Sequence, residues 1–388
     1  MVARSLLAAA ATGSAVLVNA AVYPKVKSST LFGPVTDPSL VRDSCGSTAW
    51  NTNRLLWVCR DTQDMGTDGL PEFPAFSSSA SYTNFNKDGS IPWQPIAEND
   101  FGYTSELIMY GKNHNKAFYP LTYDECNDNQ SGQCGDTSRY ALWPNNPPMI
   151  TDINADGSIL AYTWIPKTHI LPNLASLDSN PAASLYRVFW QPEAEGPKSS
   201  KLPQAELVNE TFWGDDVLLY GTSGNIVRNG TCYLYTEARS GGLALAKVPV
   251  GGVEDRSQYN FWVNGAWTTE MPNINDTSIG IAATAGGQGT FYYSDTWESY
   301  VWIGQQGGTV DPDFYITTAP NPMGPWIAPQ HFLHVQTGNF TLGAYSMQAH
   351  PGLRANPWTN DIYISYTRND VIDNKNLYTQ PLYHIEWE

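Results

Sequence analysis

The sequence has 388 residues, 13% of them aromatic and only 15% charged, and its 37 Asp and Glu against 21 Lys and Arg give a formal net charge of −16. The aromatic content excludes an intrinsically disordered chain, and no helical period of about 3.6 residues is sustained, which excludes a coiled coil. Because binding to phosphate groups requires clustered Lys and Arg, the acidic balance argues against nucleic acid or an anionic membrane as the partner.

Residues 1–20 have the pattern of a signal peptide. Arg4 gives a positive start, an apolar run covers 6–18, and small residues at 18–20 form a cleavage site. The apolar run is shorter than the about 20 residues that a membrane-spanning helix needs. We therefore predict a secreted protein whose residues 21–388 form a single domain. The alternative is a buried N-terminal helix.

Sequons and cysteines fit an oxidising, extracellular compartment. Cys126 and Cys134 bracket a polar loop and are predicted to form a disulfide, and Cys45 and Cys59 flank a turn and could also pair. This leaves Cys232 buried on a strand, although spacing alone does not fix the connectivity. The candidate glycosylation sites are Asn129, Asn209, Asn229, Asn275 and Asn339.

The predicted strands are short segments of β-branched and aromatic residues bounded by Gly, Pro, Asn or Asp, and helical patterns are hard to find. In chain order they cover 55–59, 106–110, 159–165, 185–190, 217–222, 232–236, 243–248, 290–293, 300–303, 314–317, 361–366 and 382–387. Asp-Gly and Asn-Gly pairs mark tight turns between several of them. The sequence therefore predicts an all-β protein.

The strands recur in five sets, which indicates a repeated sheet. The most complete set covers 216–262, the next covers 290–326, and a third covers 148–190. The N-terminal part (30–125, with an insertion at 63–100) and the C-terminal part (340–388) make two more. Repetition of a four-stranded sheet around an axis leaves only short, protected edges. We therefore predict a five-bladed β-propeller, with a pair of β-sandwich domains as the alternative.

The segment from Arg42 to Thr62 carries the strongest indication of chemistry. Asp43 precedes a strand of small residues, a turn follows at 51–54, and a hydrophobic strand ends at Asp61. If the two strands form a hairpin, both carboxylates lie at the same end and face the same opening. Two carboxylates flanking a bond are the minimum for glycoside hydrolysis, one as acid and one as base or nucleophile. The alternative is that both Asp residues cap turns through hydrogen bonds to the backbone.

The same segment, Arg-Asp followed by Leu-Leu-Trp-Val-Cys-Arg-Asp-Thr, resembles the N-terminal signature of a secreted propeller family. That family was long labelled a domain of unknown function and includes endo-D-arabinanases. A looser similarity continues through 213–217, 287–291, 319–326 and 349–352. The resemblance implies a five-bladed propeller that acts on furanosidic glycans, with Asp43 and Asp61 as the catalytic pair. The chain departs from the family at Arg60, where Gly is usual, and in its Cys45 and Cys59 pair.

By this resemblance Asp61 is the expected general acid and Asp43 the general base of an inverting hydrolase, with the carboxyl groups about 6.5–9.5 Å apart. The reverse assignment of the two roles stays open. The acid must keep its proton near the working pH, so a partly desolvated, acidic pocket is expected around it.

Four further residues are candidate contacts to the substrate, and each has a structural alternative. His350 could line the pocket or be a buried core histidine, and Glu106 could be a third carboxylate or a solvated strand end. Asp216 could reach the central tunnel or stay solvated. Trp213 could stack on a sugar ring, as could Trp50 and Trp93, although most of the 14 Trp must form the core.

No metal-ligand motif, nucleophile elbow or phosphate loop occurs, so no metal site and no cofactor is predicted. The sequence leaves open whether Asp and backbone carbonyl groups hold a calcium ion in a central tunnel. The sequence thus predicts a monomeric, secreted glycoside hydrolase whose partner is an extracellular polysaccharide, in particular an arabinan-type furanoside.

The alternative function is a non-catalytic glycan-binding or cell-surface interaction propeller, and the separation and exposure of Asp43 and Asp61 would distinguish the two. Convergence on an open pocket favours the enzyme, and a buried, backbone-bonded or diverging pair favours the binding protein. A third possibility is a polysaccharide lyase, which the low Lys and Arg content disfavours because a uronate must be neutralised.

Overall fold

A computed structural model describes residues 21–99, 101–111, 116–127, 130–192, 201–281, 287–306, 310–354 and 359–388. The predicted signal peptide (1–20) and the sequon asparagine Asn129 lie outside the described residues. Within them the chain is all-β, as predicted, with strands connected by turns and by four single-turn 3-10 helices: Tyr123–Glu125, Val250–Gly252, Arg256–Gln258 and Thr277–Ile279.

The described strands are numbered in chain order. They are β1 (Val26–Thr36), β2 (Leu40–Arg42), β3 (Gly46–Asn51), β4 (Arg54–Cys59), β5 (Thr62–Met65), β6 (Pro71–Phe76), β7 (Ser79–Asn84), β8 (Gln94–Pro95), β9 (Ser105–Ile108), β10 (Arg139–Ala141), β11 (Met149–Ile153), β12 (Ile159–Pro166), β13 (Thr168–Ile170), β14 (Ala183–Trp190), β15 (Gln204–Trp213), β16 (Gly224–Arg228), β17 (Thr231–Glu237), β18 (Leu243–Pro249), β19 (Asn260–Val263), β20 (Ala266–Thr268), β21 (Gly289–Ser294), β22 (Ser299–Gly304), β23 (Asp313–Ala319), β24 (Gln330–His334), β25 (Ala344–Ala349), β26 (Asp361–Ile372) and β27 (Lys375–Trp387).

Five of the sheets follow one another along the chain. The first has the order β3-β4-β7, the second β11-β12-β14-β15, the third β16-β17-β18-β19-β20 and the fourth β21-β22-β23-β24. The fifth has the order β25-β26-β27-β1-β9-β8, so the first strand of the chain lies beside the last. Two small sheets, β2-β5-β6 and the ribbon β10-β13, accompany them.

The hydrophobic core lies between neighbouring sheets. Each of five clusters of buried side chains joins two consecutive sheets, and one of them joins the fifth sheet back to the first. Residues of β3, β11, β16 and β21 and of the turn after β25 line a common cavity of about 420 Å³. The first strands of four sheets and the turn after β25 therefore border the same cavity. Representative side chains of the clusters are Trp50, Trp164, Phe291, Ile364 and Trp57.

The predicted hairpin forms. β3 and β4 pair antiparallel from Gly46↔Val58 to Asn51↔Arg54, with the reversal at 52–53. All six residues of β4 are buried, because the first sheet packs against the second on one face and against the fifth on the other. A strand covered on both faces accounts for the continuous apolar run that marks this segment in the sequence.

Several predicted boundaries are wrong, and β7, which lies within the predicted insertion at 63–100, pairs with β4 in the first sheet. Residues 217–222 form turns instead of a strand, and the third sheet begins with β16. Leu218 and Tyr220 are apolar because they fill the core beneath Trp213, whose Nε1 donates to the carbonyl oxygen of Tyr220 at 2.9 Å. A further error concerns β1, which was assigned to the N-terminal set. It pairs antiparallel with β27 in the fifth sheet, a long-range pairing that no local pattern encodes.

The two expected disulfides are present, Cys45–Cys59 and Cys126–Cys134, and Cys232 is a buried free cysteine on β17. The four described sequon asparagines, Asn209, Asn229, Asn275 and Asn339, are exposed. In the described ranges, no helix has the length and apolar character needed to cross a membrane.

Candidate active site

The junction of β2 with β3 and of β4 with β5 brings the two predicted carboxylates together. The backbone N–H of Asp43 donates to the carbonyl oxygen of Asp61 at 2.8 Å, and the N–H of Arg60 donates to the carbonyl oxygen of Asp43 at 2.8 Å. The disulfide Cys45–Cys59 links the same two strands next to these residues. Both Asp side chains line a cavity of about 490 Å³, as the hairpin argument predicts.

Asp43 is a largely buried carboxyl group, only 8% exposed. Its Oδ1 accepts hydrogen bonds from the hydroxyl groups of Ser44 at 2.6 Å and Thr367 at 3.0 Å. Burial raises the pKa of Asp43, and the opposing influence is led by the positive charge of Arg60. Asp43 therefore combines a desolvated carboxyl group with access to a cavity, which is the environment of a group that keeps its proton to higher pH.

Two serines with unusual backbone conformations support this carboxyl group. Ser44 has φ = 52° and Ser346 has φ = 54°, in the left-handed region that residues with a side chain seldom adopt. The hydroxyl oxygen atoms of Ser44 and Ser346 lie 2.6 Å apart, and Ser346 donates to the Oε1 of Gln288, a cavity residue. Strained backbone of this kind concentrates at functional sites.

Asp61 has a different environment, because its carboxylate is held by a guanidinium group. Arg139 donates from Nη1 to Oδ2 at 2.9 Å and from Nη2 to Oδ1 at 2.6 Å. The indole Nε1 of Trp143 also donates to Oδ1, at 2.8 Å. Both side chains of the ion pair are 15% exposed. Two-point contacts between a guanidinium and a carboxylate are among the stronger charge-assisted hydrogen bonds and fix the plane of the carboxylate.

Arg60 lines the same cavity as the two acids. Its Nη2 donates to the Oδ1 of Asn145 at 2.5 Å. Burial lowers the pKa of Arg60, and the strongest opposing charge is that of Asp43. The guanidinium of Arg60 thus interacts mainly with Asp43, whereas the guanidinium of Arg139 binds Asp61.

The remaining walls of the cavity combine amides, aromatic rings and apolar side chains. Amides can exchange hydrogen bonds with sugar hydroxyl groups, and aromatic rings can pack against the C–H faces of sugars. One further carboxylate, the exposed Glu237, lies at the end of β17. The other lining residues are Gly287, the amides Asn145, Gln288, Gln305, Asn369 and Asn376, then Trp143, Tyr345 and Tyr378, and the apolar Leu174, Val310, Phe340 and Leu342.

Sequence reasoning missed most of these side chains. Arg139, Trp143, Tyr345 and Tyr378 come from segments far from 42–62, and nothing local in the sequence ties them to it. Glu237 follows directly on the predicted strand 232–236, and this position at a strand end was the available signal for it.

His350 and Trp213 are absent from the cavity lining, because both are core residues with no exposed surface. The Nδ1 of His350 lies 2.8 Å from the hydroxyl of Ser47, and its Nε2 lies 2.7 Å from that of Ser365. Burial lowers the pKa of His350 to about 3, so the ring is neutral. Trp213 packs between the second and third sheets.

Glu106 and Asp216 are also absent from the cavity lining. Glu106 lies on β9, near the outer edge of the fifth sheet, and accepts a hydrogen bond from Thr36 at 3.1 Å. Asp216 is exposed in the turn after β15. Of the two other tryptophans considered, Trp50 is fully buried and Trp93 stacks on Phe32 with 4.8 Å between ring centroids. Among the described residues, no three His, Cys, Asp or Glu side chains converge as a metal-ligand set.

Comparison with known proteins gives a family without an assigned function. Residues 198–382 match the family "Domain of unknown function (DUF5005)". The expected resemblance to a family long labelled a domain of unknown function is confirmed, and the match covers slightly less than half of the chain without including Asp43 or Asp61. A comparison with curated proteins finds no match.

A comparison with solved structures finds similar chains at low sequence identity. A "putative hydrolase" from Bacteroides ovatus is 15% identical, with 92% of this chain and 87% of that chain covered and a TM-score of 0.59. An endo-arabinanase from Bacillus licheniformis is 12% identical, with 90% and 96% covered and a TM-score of 0.43. The first of these structures establishes a common fold.

Proposed function

We propose that this protein is a secreted glycoside hydrolase that cleaves an extracellular polysaccharide, in particular an arabinan-type furanoside, with Asp43 and Asp61 as its catalytic pair. The observation that carries the proposal is the meeting of these two carboxyl groups in one cavity of about 490 Å³. The amide and aromatic side chains around them suit a neutral sugar. The shared fold of the hydrolase from Bacteroides ovatus agrees with the proposal without establishing a substrate.

The proposal includes the architecture. The five successive sheets are the five blades of a propeller, and residues 21–388 are one domain. Support comes from the five core clusters, which join each sheet to the next and the fifth sheet to the first. The pairing of β1 with β27 would then close the ring. The catalytic pair would lie at one end of the propeller axis.

The contacts favour the reverse of the roles expected from the family. Asp43 is the better general acid, because burial raises its pKa and helps it keep a proton for the leaving group. Asp61 is the better general base, because two-point contact with Arg139 stabilises a negatively charged carboxylate.

In the proposed reaction, the Asp43 carboxyl group donates its proton to the glycosidic oxygen as the bond from that oxygen to the anomeric carbon breaks. The Asp61 carboxylate takes a proton from a water molecule whose oxygen forms the new bond to the anomeric carbon from the opposite face. The product is the inverted hemiacetal. Transfer of a proton from Asp61 through solvent to Asp43 restores the starting state.

The two disulfides and the exposed sequon asparagines support the proposal that the protein works outside the cell. We extend the proposal to a monomer that requires no cofactor. The second candidate function is a non-catalytic glycan-binding protein. The observation that favours it is the complete engagement of Asp61 by Arg139 and Trp143, which would also suit a purely structural ion pair.

The test is hydrolysis of a panel of arabinans, galactans, xylans and uronans, followed through new reducing ends, with the anomeric configuration of the product read by NMR. We expect inverted product from one of the furanosidic substrates. The isosteric variants Asp43→Asn and Asp61→Asn should each reduce kcat by about 10²–10⁴-fold. Asp216→Asn, an exposed carboxyl outside the cavity, is the matched control.

Full activity in either cavity variant would overturn the catalytic pair. A wild-type protein that binds one of the glycans but never cleaves it would favour the binding function instead.

A further inference from the structure

Arg139 uses three of its nitrogen atoms to connect a loop to Asp61. Nη1 and Nη2 contact the two oxygen atoms of the carboxylate at 2.9 and 2.6 Å, and Nε donates to the carbonyl oxygen of Ser131 at 3.2 Å. The guanidinium is planar, so fixing Nε also fixes the direction in which the other two nitrogens point. The position of the Asp61 carboxylate is therefore tied to the position of the Ser131 carbonyl group.

Arg139 comes from a different part of the fold than Asp61. It lies on the ribbon β10-β13, whereas Asp61 follows β4 of the first sheet. The loop closed by Cys126–Cys134 supports this ribbon. The carbonyl oxygen of Gly132 accepts from the N–H of Tyr140 at 2.9 Å, and the N–H of Cys134 donates to the carbonyl oxygen of Ser138 at 2.9 Å.

The same segment supplies a second donor to Asp61. Trp143 follows β10, and its indole N–H donates to Oδ1 at 2.8 Å, the oxygen that also accepts from Nη2 of Arg139. The carboxylate is thus held at both oxygens by residues four positions apart. A carboxylate held in this way has its plane and its distance from neighbouring groups fixed, which is what a base that must reach one water molecule requires.

We propose that Arg139 is a positioning residue of this site, held by the disulfide-closed loop 126–134, and that it sets the orientation of the Asp61 carboxylate for the reaction. The inference rests on the proposed function for the reaction itself, but its geometric part concerns only Arg139, Trp143 and Asp61. Without Arg139, the buried guanidinium of Arg60 is a neighbouring positive charge that still attracts the Asp61 carboxylate. The Asp61 carboxylate then turns toward that guanidinium and away from Trp143.

The test of the catalytic part is chemical rescue of Arg139→Ala by free guanidinium ion. Misplacement of a reacting group by about 1 Å costs about 10²-fold in rate, so we expect kcat of this variant to fall by about that factor with KM nearly unchanged. Guanidinium chloride at non-denaturing concentration should restore part of kcat, and sodium chloride at equal ionic strength should not. Arg139→Lys keeps the charge without the two-point contact and should be intermediate.

The geometric part has a readout that needs no hydrolysis. In a ¹⁵N–¹H spectrum of the wild-type protein, the indole signal of Trp143, assigned through Trp143→Phe, reports its hydrogen bond to Asp61. We expect this signal to shift in Arg139→Ala and to return when guanidinium is added. Arg187→Ala, which removes an arginine of the second sheet that pairs with Glu206 and Glu254, should leave it unchanged.

The outcomes separate the two proposals. An unchanged Trp143 signal in Arg139→Ala, or a shift that guanidinium does not reverse, would overturn the positioning role. A reversible shift in a protein that cleaves none of the glycans would support the positioning role and reject the hydrolase. If Arg139→Ala does not fold, Arg139→Lys supplies the same measurement.

Discussion

Two hydrogen bonds from one imidazole ring connect the fifth sheet to the first at His350. One ring nitrogen contacts Ser47 on β3, the other contacts Ser365 on β26, and the ring packs on Trp57 with 4.8 Å between centroids. Burial lowers the pKa of His350 to about 3, against about 6.5 in an unfolded chain. A residue that looked like a candidate for sugar binding is, in its contacts, a neutral bridge between two sheets.

This bridge makes the fold sensitive to acid. Between pH 6.5 and 3 the unfolded chain binds a proton at residue 350 and the folded chain does not, so the free energy of unfolding falls as the pH is lowered. The slope is at most about 1.4 kcal/mol per pH unit. We expect His350→Gln, whose amide can still bond to hydroxyl groups, to reduce this dependence in urea titrations between pH 7 and 4.5.

His334→Gln, which removes an imidazole that is 68% exposed, is the control and should keep the acid sensitivity of the wild type. If the free energy of unfolding depended equally on pH in the wild type and in His350→Gln, His350 would have to take up its proton in the folded state.

Whether a contact between two residues could be predicted from the sequence depends on how far apart they lie along the chain. Asp43 and Asp61 could be placed together because a single hairpin joins them, and the alternation of small, turn-forming and apolar residues encodes that hairpin. Arg139 and Trp143 could not be found, because their contact with Asp61 depends on where a separate ribbon packs. The raised pKa of Asp43 was also out of reach, since it depends on how deeply the folded chain buries this carboxyl group.

The disulfide Cys126–Cys134 closes the loop 126–134, which contacts the candidate site through Arg139. Both of its cysteines are partly exposed, whereas Cys45 and Cys59 are buried in the hairpin. The loop carries the Ser131 carbonyl group that holds Arg139. Removal of its disulfide should therefore change the geometry of the candidate site more than it changes the stability of the core.

We expect the double variant Cys126→Ser/Cys134→Ser to fold, to lose no more than about 3 kcal/mol of the free energy of unfolding, and to show a shifted Trp143 indole signal and a lower kcat. The measurements are urea denaturation, the ¹⁵N–¹H spectrum and the hydrolysis assay. Cys45→Ser/Cys59→Ser is the comparison and should lose more stability, because it leaves two hydroxyl groups in the core. A double variant at 126 and 134 with a wild-type indole signal would contradict the role given to the loop.

At the element scale, the buried strands were the predictable ones. β4, β12, β17 and β22 have long apolar stretches because sheets cover both of their faces. β15 was missed because its outer position leaves alternate residues exposed and polar. The wrong strand at 217–222 has the opposite cause, since its apolar residues fill the core from a turn.

The stability of the whole molecule depends on β1, which lies between β27 and β9 in the fifth sheet. Gly33 is the point of closest approach. Its φ is +150°, and a Cβ atom there would lie 1.7 Å from the carbonyl oxygen of Ser105 on β9. Because that neighbour is backbone, a side chain at position 33 must displace one of the two strands.

We expect Gly33→Ala to lower the free energy of unfolding by about 1–3 kcal/mol, measured by urea denaturation, and to do so in a single cooperative transition. Gly251→Ala, at a glycine with open space around its Cβ position and no unusual φ, is the control and should stay near wild type. A Gly33→Ala protein as stable as this control would show that β1 and β9 can separate freely.

At this scale the sequence predicted five sets of strands, and five large sheets follow one another along the chain. The ends of the chain were misassigned, because β1 is adjacent in sequence to the first sheet but pairs with β27. This pairing depends on where the other sheets place β1 and β27 relative to each other. It leaves no pattern in the residues of either strand.

The partnership of β1 with β27 also constrains the order of events during synthesis. β1 leaves the ribosome before any other described strand, and the strand beside it is completed last, about 350 residues later. The fifth sheet therefore cannot be completed before β27 has been synthesised, even after the intermediate sheets have formed. Contacts of such long sequence separation slow folding, so the synthesis of β27 should be followed by a slow step in which this strand pairs with β1.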